Sequence, residues 1–144
     1  MLDTSVVIAY IDRRDRASSV AAGVIDGLVR SGRNPGLISM VTVAEILVGP
    51  ARNGDHALRA EILEFLTRLP GLRLQEIDLR IAQRAAMLRA RHRLRLAAAL
   101  IIATGLADGV RQIVSNDREW SSRLSPSEIG ATIVLLDDHL PFGP

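Results

Sequence analysis

Short apolar runs alternate with helical stretches along this chain, and this alternation restricts the fold more than any other feature. The candidate strands are the apolar runs at residues 37–40, 72–77, 112–115 and 132–136. Buried strands that are separated by helices pair in parallel through right-handed crossovers. We therefore predict an α/β fold, a three-layer α/β/α sandwich around a short parallel sheet, formed by a single domain over residues 1–144.

Helical spacing of apolar residues fills the intervals between these runs. The predicted helices cover residues 15–30, 42–48, 56–69, 78–93 and 97–107, and Asp78 is the predicted N-cap of the fourth. The last of them is apolar almost throughout, so we expect it to be buried. Only two residues precede Asp3, so a strand at the start of the chain must be very short or truncated.

Three acids stand where an ionised carboxylate is unfavourable. Asp3 opens the apolar run that ends at Tyr10, Glu45 is the only charge within residues 38–48, and Asp117 follows the strand candidate 112–115. A carboxylate out of water is costly unless it is paired or coordinates a metal. Ligands of parallel sheets gather at the carboxyl ends of the strands, where all three acids can meet. We predict that they share a hard divalent cation, Mg²⁺ or Mn²⁺.

Each of these acids also has an ordinary structural explanation. Asp3 is a possible helix N-cap, Glu45 a possible salt-bridge partner of an arginine, and Asp117 a possible turn or cap residue. Ser115 and Asn116 are candidate hydrogen-bonding partners behind the acids, and turn chemistry explains them equally well. Acids 137 and 138 follow the last strand, where a solvated loop is favoured over the rim of the site.

The basic residues suggest a surface for nucleic acid without establishing one. All 18 are arginine, which suits phosphate binding, but the net charge is only +2 and a GC-rich coding bias gives the same composition. Arginines at 80, 84, 91 and 95 share a face if the helix continues that far, and Arg84, Arg91 and Arg95 are the candidate RNA contacts. A solvated helix face is the alternative.

Composition excludes several classes of protein. Without cysteine, disulfides, thiolate zinc sites and cysteine nucleophiles are impossible, and the three histidines lack metal-ligand spacing. Aromatic residues make up 3% of the chain, too few for base-stacking platforms. There is no signal-peptide pattern and no apolar stretch of about 18 residues, so we expect a cytoplasmic protein without membrane association.

Three motifs, in order and over essentially the whole chain, resemble the PIN-domain ribonucleases, in particular the VapC toxins of bacterial toxin–antitoxin pairs. They are LDTS at residues 2–5, TVAEILVG at 42–49 and SNDREW at 115–120. The resemblance implies a Mg²⁺-dependent endoribonuclease acting on tRNA or rRNA. It also implies a homodimer and a VapB-like antitoxin that blocks the site.

One position departs from the family pattern. The family usually carries a Pro-Asp pair at the start of the helix before the last motif, and here Ala97 and Ala98 occupy those places. The resemblance therefore implies a fourth acid that this chain lacks, so we expect weak or absent cleavage. A catalytically silent binding protein is the alternative function. A phospho-accepting domain built on Asp3 is a weaker one, because it needs a lysine and the chain has none.

Overall fold

The computed structural model of this chain describes residues 1–140, and its elements alternate as the sequence predicts. The helices are α1 (Thr4–Ile11), α2 (Ser18–Val24) continued by a π-helical stretch (Ile25–Arg30), α3 (Met40–Arg52), α4 (His56–Arg68), α5 (Leu79–His92), α6 (Leu96–Ala107), α7 (Arg118–Arg123) and α8 (Pro126–Ile129). The strands are β1 (Gly36–Ser39), β2 (Leu72–Gln75), β3 (Gln112–Ser115) and β4 (Thr132–Leu135). A 3₁₀ helix, Leu136–His139, follows β4.

Residues 1–3 join two pairs of parallel strands into one sheet. β1 pairs with β2 and β3 pairs with β4, all in parallel. The Leu2 amide donates to the Leu37 carbonyl at 2.8 Å, and the Asp3 amide donates to the Val114 carbonyl at 3.0 Å. The order is therefore β2, β1, residues 1–3, β3, β4, and the very short first strand lies in the middle.

Helices cover both faces of this sheet. Leu37 and Ile113 point into a core that they share with α5 and α6. Their neighbours Ile38 and Val114 point into a second core, built with α1, α2 and α4. Successive side chains of a strand alternate between its faces, so these two cores are the two outer interfaces of a three-layer α/β/α sandwich. The predicted fold class is confirmed.

The continuation of the fourth helix to Arg95 needs correction. The helix from Leu79 does not reach Arg95, because Arg93 adopts a left-handed conformation (φ 53°) that ends α5 at His92. Arg95 instead precedes α6 as its N-cap residue, so Arg84, Arg91 and Arg95 do not share one helical face. The short helices α7 and α8 were not predicted.

α6 is a core helix, as its composition predicts. Residues 101–106 of this helix are buried. In the part of the chain that the structure describes, no helix combines the length and the apolar character needed to cross a membrane.

Candidate metal centre at the carboxyl edge

Asp3 is a buried carboxylate that is held by two hydroxyl groups. It occupies the N-cap position of α1, yet its side chain makes no capping hydrogen bond. Its Oδ2 accepts hydrogen bonds from Ser5 Oγ and Ser115 Oγ, both at 2.8 Å. The residue is only 5% exposed. The capping explanation therefore does not account for the Asp3 side chain, which points towards the end of β3.

The two serines also fix the turn that follows β3. Ser5 Oγ accepts from the Asn116 amide at 2.9 Å, and Ser115 Oγ accepts from the Asp117 amide at 3.0 Å. Each hydroxyl oxygen thus accepts a hydrogen bond from a backbone N–H, and each hydroxyl group donates a hydrogen bond to the same oxygen of Asp3. Ser115 thus bonds to one of the three acids, and so does Ser5, which was not among the predicted residues.

Glu45 reaches the same edge of the sheet from α3. This helix begins directly after β1, where the Ser39 hydroxyl caps it by accepting from the Val41 amide at 3.3 Å. Thr4 Oγ1 donates to Glu45 Oε2 at 2.5 Å, which places Glu45 beside the residue that follows Asp3. Within residues 1–140, no salt bridge involves Asp3 or Glu45. Pairing with an arginine therefore does not explain Glu45.

Asp117 lies at the same edge with its carboxylate engaged locally. It is the N-cap of α7, and its Oδ1 accepts from the Glu119 amide at 2.9 Å. A helix N-cap role therefore accounts for the Asp117 side chain. Among residues 1–140, no three acidic or histidine side chains are grouped closely enough to hold a metal ion. A metal role for Asp3, Glu45 and Asp117 together stays a prediction.

The Asp137 side chain is buried, so the prediction of a solvated loop is wrong for this residue. Its side chain is 8% exposed. Asn116 holds it from both sides, since Asn116 Nδ2 donates to Asp137 Oδ1 at 2.9 Å and Asn116 Oδ1 accepts from the Asp137 amide at 3.1 Å. The Asn116 side chain therefore supports Asp137 rather than Asp3. The signal in the sequence was its place just after a buried strand, as for Asp3 and Asp117.

Ala98 lies at the carboxyl edge as well, in the first turn of α6. The other end of α6 lies at the amino edge, because Asp108, which follows it, pairs with Arg73 of β2 at 2.5 Å. A helix of 12 residues is about 18 Å long, and a strand of four residues about 13 Å. The first turn of α6 therefore reaches the edge that carries the acids.

Two of the three arginines predicted to contact RNA have partners within the chain. Arg84 Nη1 donates to the Leu106 carbonyl at 3.1 Å, near the end of α6. Arg91 forms a salt bridge with Glu128 at 3.1 Å. Arg95 is exposed beside Ala98. A cavity of about 880 Å³ opens at the amino edge, between Met1, Gly36 and residues 108–112. It lies at the opposite edge of the sheet from Asp3, Glu45 and Asp117.

The oxygen atoms at this edge suit a hard cation. Asp3 Oδ1 and Glu45 Oε1 accept no hydrogen bond from the described residues, while their partner oxygens are held by hydroxyl groups. Mg²⁺ is commonly held by one or two carboxylates and keeps several water ligands. Two buried or half-buried carboxylates that lack a cationic partner therefore fit such an ion.

The family comparison matches a PIN domain model over residues 1–123. No curated protein gives a significant match.

Three solved structures are similar in fold, each at low sequence identity. VapBC2 from Rickettsia felis, bound to a DNA fragment from its promoter, has a TM-score of 0.72 at 16% identity and covers 94% of this chain and 96% of its own. FitAcB from Neisseria gonorrhoeae has a TM-score of 0.67 at 20% identity, with 92% and 94% covered. A toxin–antitoxin complex from Klebsiella pneumoniae has a TM-score of 0.63 at 20% identity, with 87% and 95% covered.

Proposed function

The chain belongs to the PIN-domain family, and from this we propose that it is a metal-dependent endoribonuclease, the toxin of a type II toxin–antitoxin pair. PIN domains are generally nucleases that use divalent metal ions. The similar folds are those of toxin–antitoxin complexes, which supports the toxin role. The proposed substrate is RNA, with tRNA or rRNA as the expected class.

The uncompensated carboxylate of Asp3 carries this proposal. It is 5% exposed, two neutral hydroxyl groups hold one of its oxygens, and no described basic residue pairs with it. A buried charge of this kind is unfavourable in the free protein and becomes favourable when a cation binds. Its position at the carboxyl edge of a parallel sheet is where α/β proteins bind their ligands.

Asp3 and Glu45 would hold the Mg²⁺ or Mn²⁺ ion, and Asp117 would join them if its side chain left the cap of α7. When bound, the ion lowers the pKa of a coordinated water and stabilises the charge that develops on the scissile phosphate. Ser5 and Ser115 keep one oxygen of Asp3 turned inwards, so the other stays available. Thr4 does the same for Glu45. These hydroxyl groups fix the orientation of the carboxylates before any ion arrives.

Ala98 explains why this chain would be a weak nuclease. A methyl group at the carboxyl edge cannot contribute the negative charge that the family pattern places there, and a misplacement of about 1 Å can cost on the order of 10²-fold in rate. We expect Ala98→Asp to raise Mg²⁺-dependent RNA cleavage by that order. An aspartate in the first turn of α6 also interacts favourably with the helix dipole, by about 0.3–1 kcal/mol, so the fold should tolerate it.

The test compares cleavage of total RNA by the parent and the variant, with Mg²⁺, Mn²⁺ or chelator. Ala97→Asp is a matched control, because it adds the same charge to the same half-buried turn of α6 one position away. Cleavage that rises only in Ala98→Asp, and falls again when Asp3→Asn is added, supports the site. Equal activity of the parent and Ala98→Asp would show that position 98 is outside it.

A catalytically silent binding protein is the second candidate function, and two observations favour it. Ala98 removes one acid, and no group of three metal-ligating side chains exists among residues 1–140. Such a protein would keep the fold and the partner contacts without turnover. Lack of cleavage by both the parent and Ala98→Asp, with both folded, would favour this function over the nuclease.

We assign the proposed homodimer and antitoxin contacts to the outer face of α3 and α4. Met40, Ala44 and Val48 lie four residues apart on one face of α3, and Leu63 of α4 is exposed too. An apolar helix of a VapB-like antitoxin fits such a face. A cationic side chain on the antitoxin would relieve the repulsion between the acids of the candidate metal centre. The buried residues of α6 leave that helix little surface for a dimer. Particle mass in solution, alone and after co-expression with the neighbouring gene product, checks both contacts.

A further inference from the structure

Two arginines from distant parts of the chain meet at the carboxyl edge, on one buried acid. Arg16, in the loop between α1 and α2, forms a salt bridge through Nη2 with Asp137 Oδ2. Arg118, the residue after Asp117, has its Nη2 3.9 Å from the same oxygen and 3.6 Å from Asp138 Oδ1. Three separate segments at one edge of the sheet thus bring two guanidinium groups together.

Most of the hydrogen-bonding capacity of these arginines faces solvent. A guanidinium has five N–H donors, and Arg16 uses one nitrogen while Arg118 makes only ion-pair contacts. Their side chains are 70% and 65% exposed, whereas Asp137 is 8% exposed. The acid therefore orients both groups from below and leaves their outer edges free.

A chain of hydrogen bonds links Arg16 to the candidate metal centre. Asp3 is bonded to Ser5, Ser5 to the Asn116 amide, and the Asn116 side chain to Asp137. Asp137 in turn holds Arg16. The Arg16 guanidinium is thus connected to Asp3 through this chain, and Arg118 lies beside the same Asp137 carboxylate through ion-pair contacts.

We propose that Arg16 and Arg118 form a phosphate-binding site that holds the RNA backbone beside the acids, an inference that rests on the proposed function. Arginine suits this role, since its planar fork binds phosphate oxygens in pairs. The acids of the metal centre repel RNA, so backbone contacts must come from cations at the rim. Arg84 and Arg91, predicted from the sequence, are less suited, because their guanidinium groups contact Leu106 and Glu128 on the α5 side.

The experiment measures binding of a short fluorescein-labelled single-stranded RNA by anisotropy, with Ca²⁺ in place of Mg²⁺, over a series of salt concentrations. It compares the parent with the double variants Arg16→Ala/Arg118→Ala and Arg84→Ala/Arg91→Ala, which lose the same charge. We expect the first pair to weaken binding roughly three- to tenfold. The slope of log K against log salt should become shallower by about 1.4, or about 0.7 per phosphate contact to a single strand.

The control variant Arg84→Ala/Arg91→Ala should leave both the affinity for RNA and the salt slope near those of the parent. Arg16→Lys/Arg118→Lys should keep the salt slope, because the charges remain, which a purely structural role of the arginines would not predict. Equal effects of the two alanine pairs would overturn the assignment, and so would an Arg16/Arg118 pair that weakens only the antitoxin complex. Absence of RNA binding by the parent would overturn the proposed substrate class and this site with it. Thermal unfolding of each variant confirms that it is folded.

Discussion

Ser5→Ala isolates the support of Asp3 more cleanly than any other substitution. It removes the donor of the 2.8 Å hydrogen bond to Asp3 Oδ2 and the acceptor of the 2.9 Å bond from the Asn116 amide. The backbone of α1 tolerates the change, because alanine is a better helix former than serine by about 0.5 kcal/mol.

The expected loss follows from these two bonds. A hydrogen bond to a charged group contributes about 1.5–3 kcal/mol, and an unpaired buried N–H costs about 1–3 kcal/mol. Because Ser5 is half-buried, water can replace part of both lost hydrogen bonds. The higher helix propensity of alanine offsets a further small part of the loss. We expect the free energy of unfolding to fall by about 2–3 kcal/mol, a large share of the roughly 5–15 kcal/mol of a typical domain.

Urea unfolding measures this loss through Trp120, the only tryptophan, which is 3% exposed and should change its fluorescence when the chain unfolds. The midpoint should fall with the slope unchanged. Ser5→Thr is the control, since it keeps the hydroxyl group and should restore most of the stability. Added Mn²⁺ should stabilise the parent and Ser5→Thr more than Ser5→Ala, because ligand binding to the folded state raises stability. A loss below about 0.5 kcal/mol, or equal losses in both variants, would refute the reasoning.

Two further predictions concern the whole chain. Burial lowers the pKa of the Met1 amine from 8.0 to about 6, an effect that nearby Asp108 partly opposes. As the pH drops, the amine of the unfolded chain is protonated before that of the folded chain. The free energy of unfolding should therefore fall by up to about 2.7 kcal/mol between about pH 8 and pH 6. An N-acetylated chain that shows the same fall would contradict this prediction. Light scattering should give a dimer mass for the chain alone and a larger complex after co-expression with the neighbouring gene product. A clean monomer at micromolar concentration would contradict the dimer, and failure to co-purify would contradict the antitoxin contact.

Local signals predicted the strands and most helices well. Residues 112–115 form β3 as predicted, and Asp78 caps α5 by accepting from the Ile81 amide at 2.7 Å. Both signals reside in neighbouring residues, so a single sequence contains them. β1 ends one residue earlier than predicted, because the Ser39 hydroxyl caps α3 and Met40 already belongs to that helix.

The interval 15–30 shows where periodicity misleads. The apolar spacing assumed 3.6 residues per turn, but the second half of this interval is π-helical. A π-helix bonds residue i to i+5, so the buried face shifts along the sequence. Val29 is consequently buried at 3% exposure, whereas Leu28, one of the apolar residues at helical spacing in this interval, is 36% exposed. Propensity gives no warning of this shift, because the packing of the whole layer decides it.

The acids show the difference between finding a charged residue and knowing its partner. Asp117 and Asp137 are compensated within the chain, one by a helix N-terminus and the other by Asn116 and Arg16. Asp3 and Glu45 receive only hydroxyl donors. The charged partner of Asp137, Arg16, lies 121 residues away in the sequence, so no local pattern could reveal it.

This division of the acids also gives Ala98 a physical meaning. In a protein without bound metal, a further carboxylate beside Asp3 and Glu45 would add like-charge repulsion that hydroxyl groups cannot offset. Alanine at this position removes that repulsion, and with it part of the attraction for a cation. The chain therefore retains the framework that orients Asp3, because Ser5 and Ser115 act independently of position 98. A site whose supports persist while one charge is missing should respond strongly to restoring that charge, which is why a single substitution at residue 98 is a decisive test of the proposed nuclease.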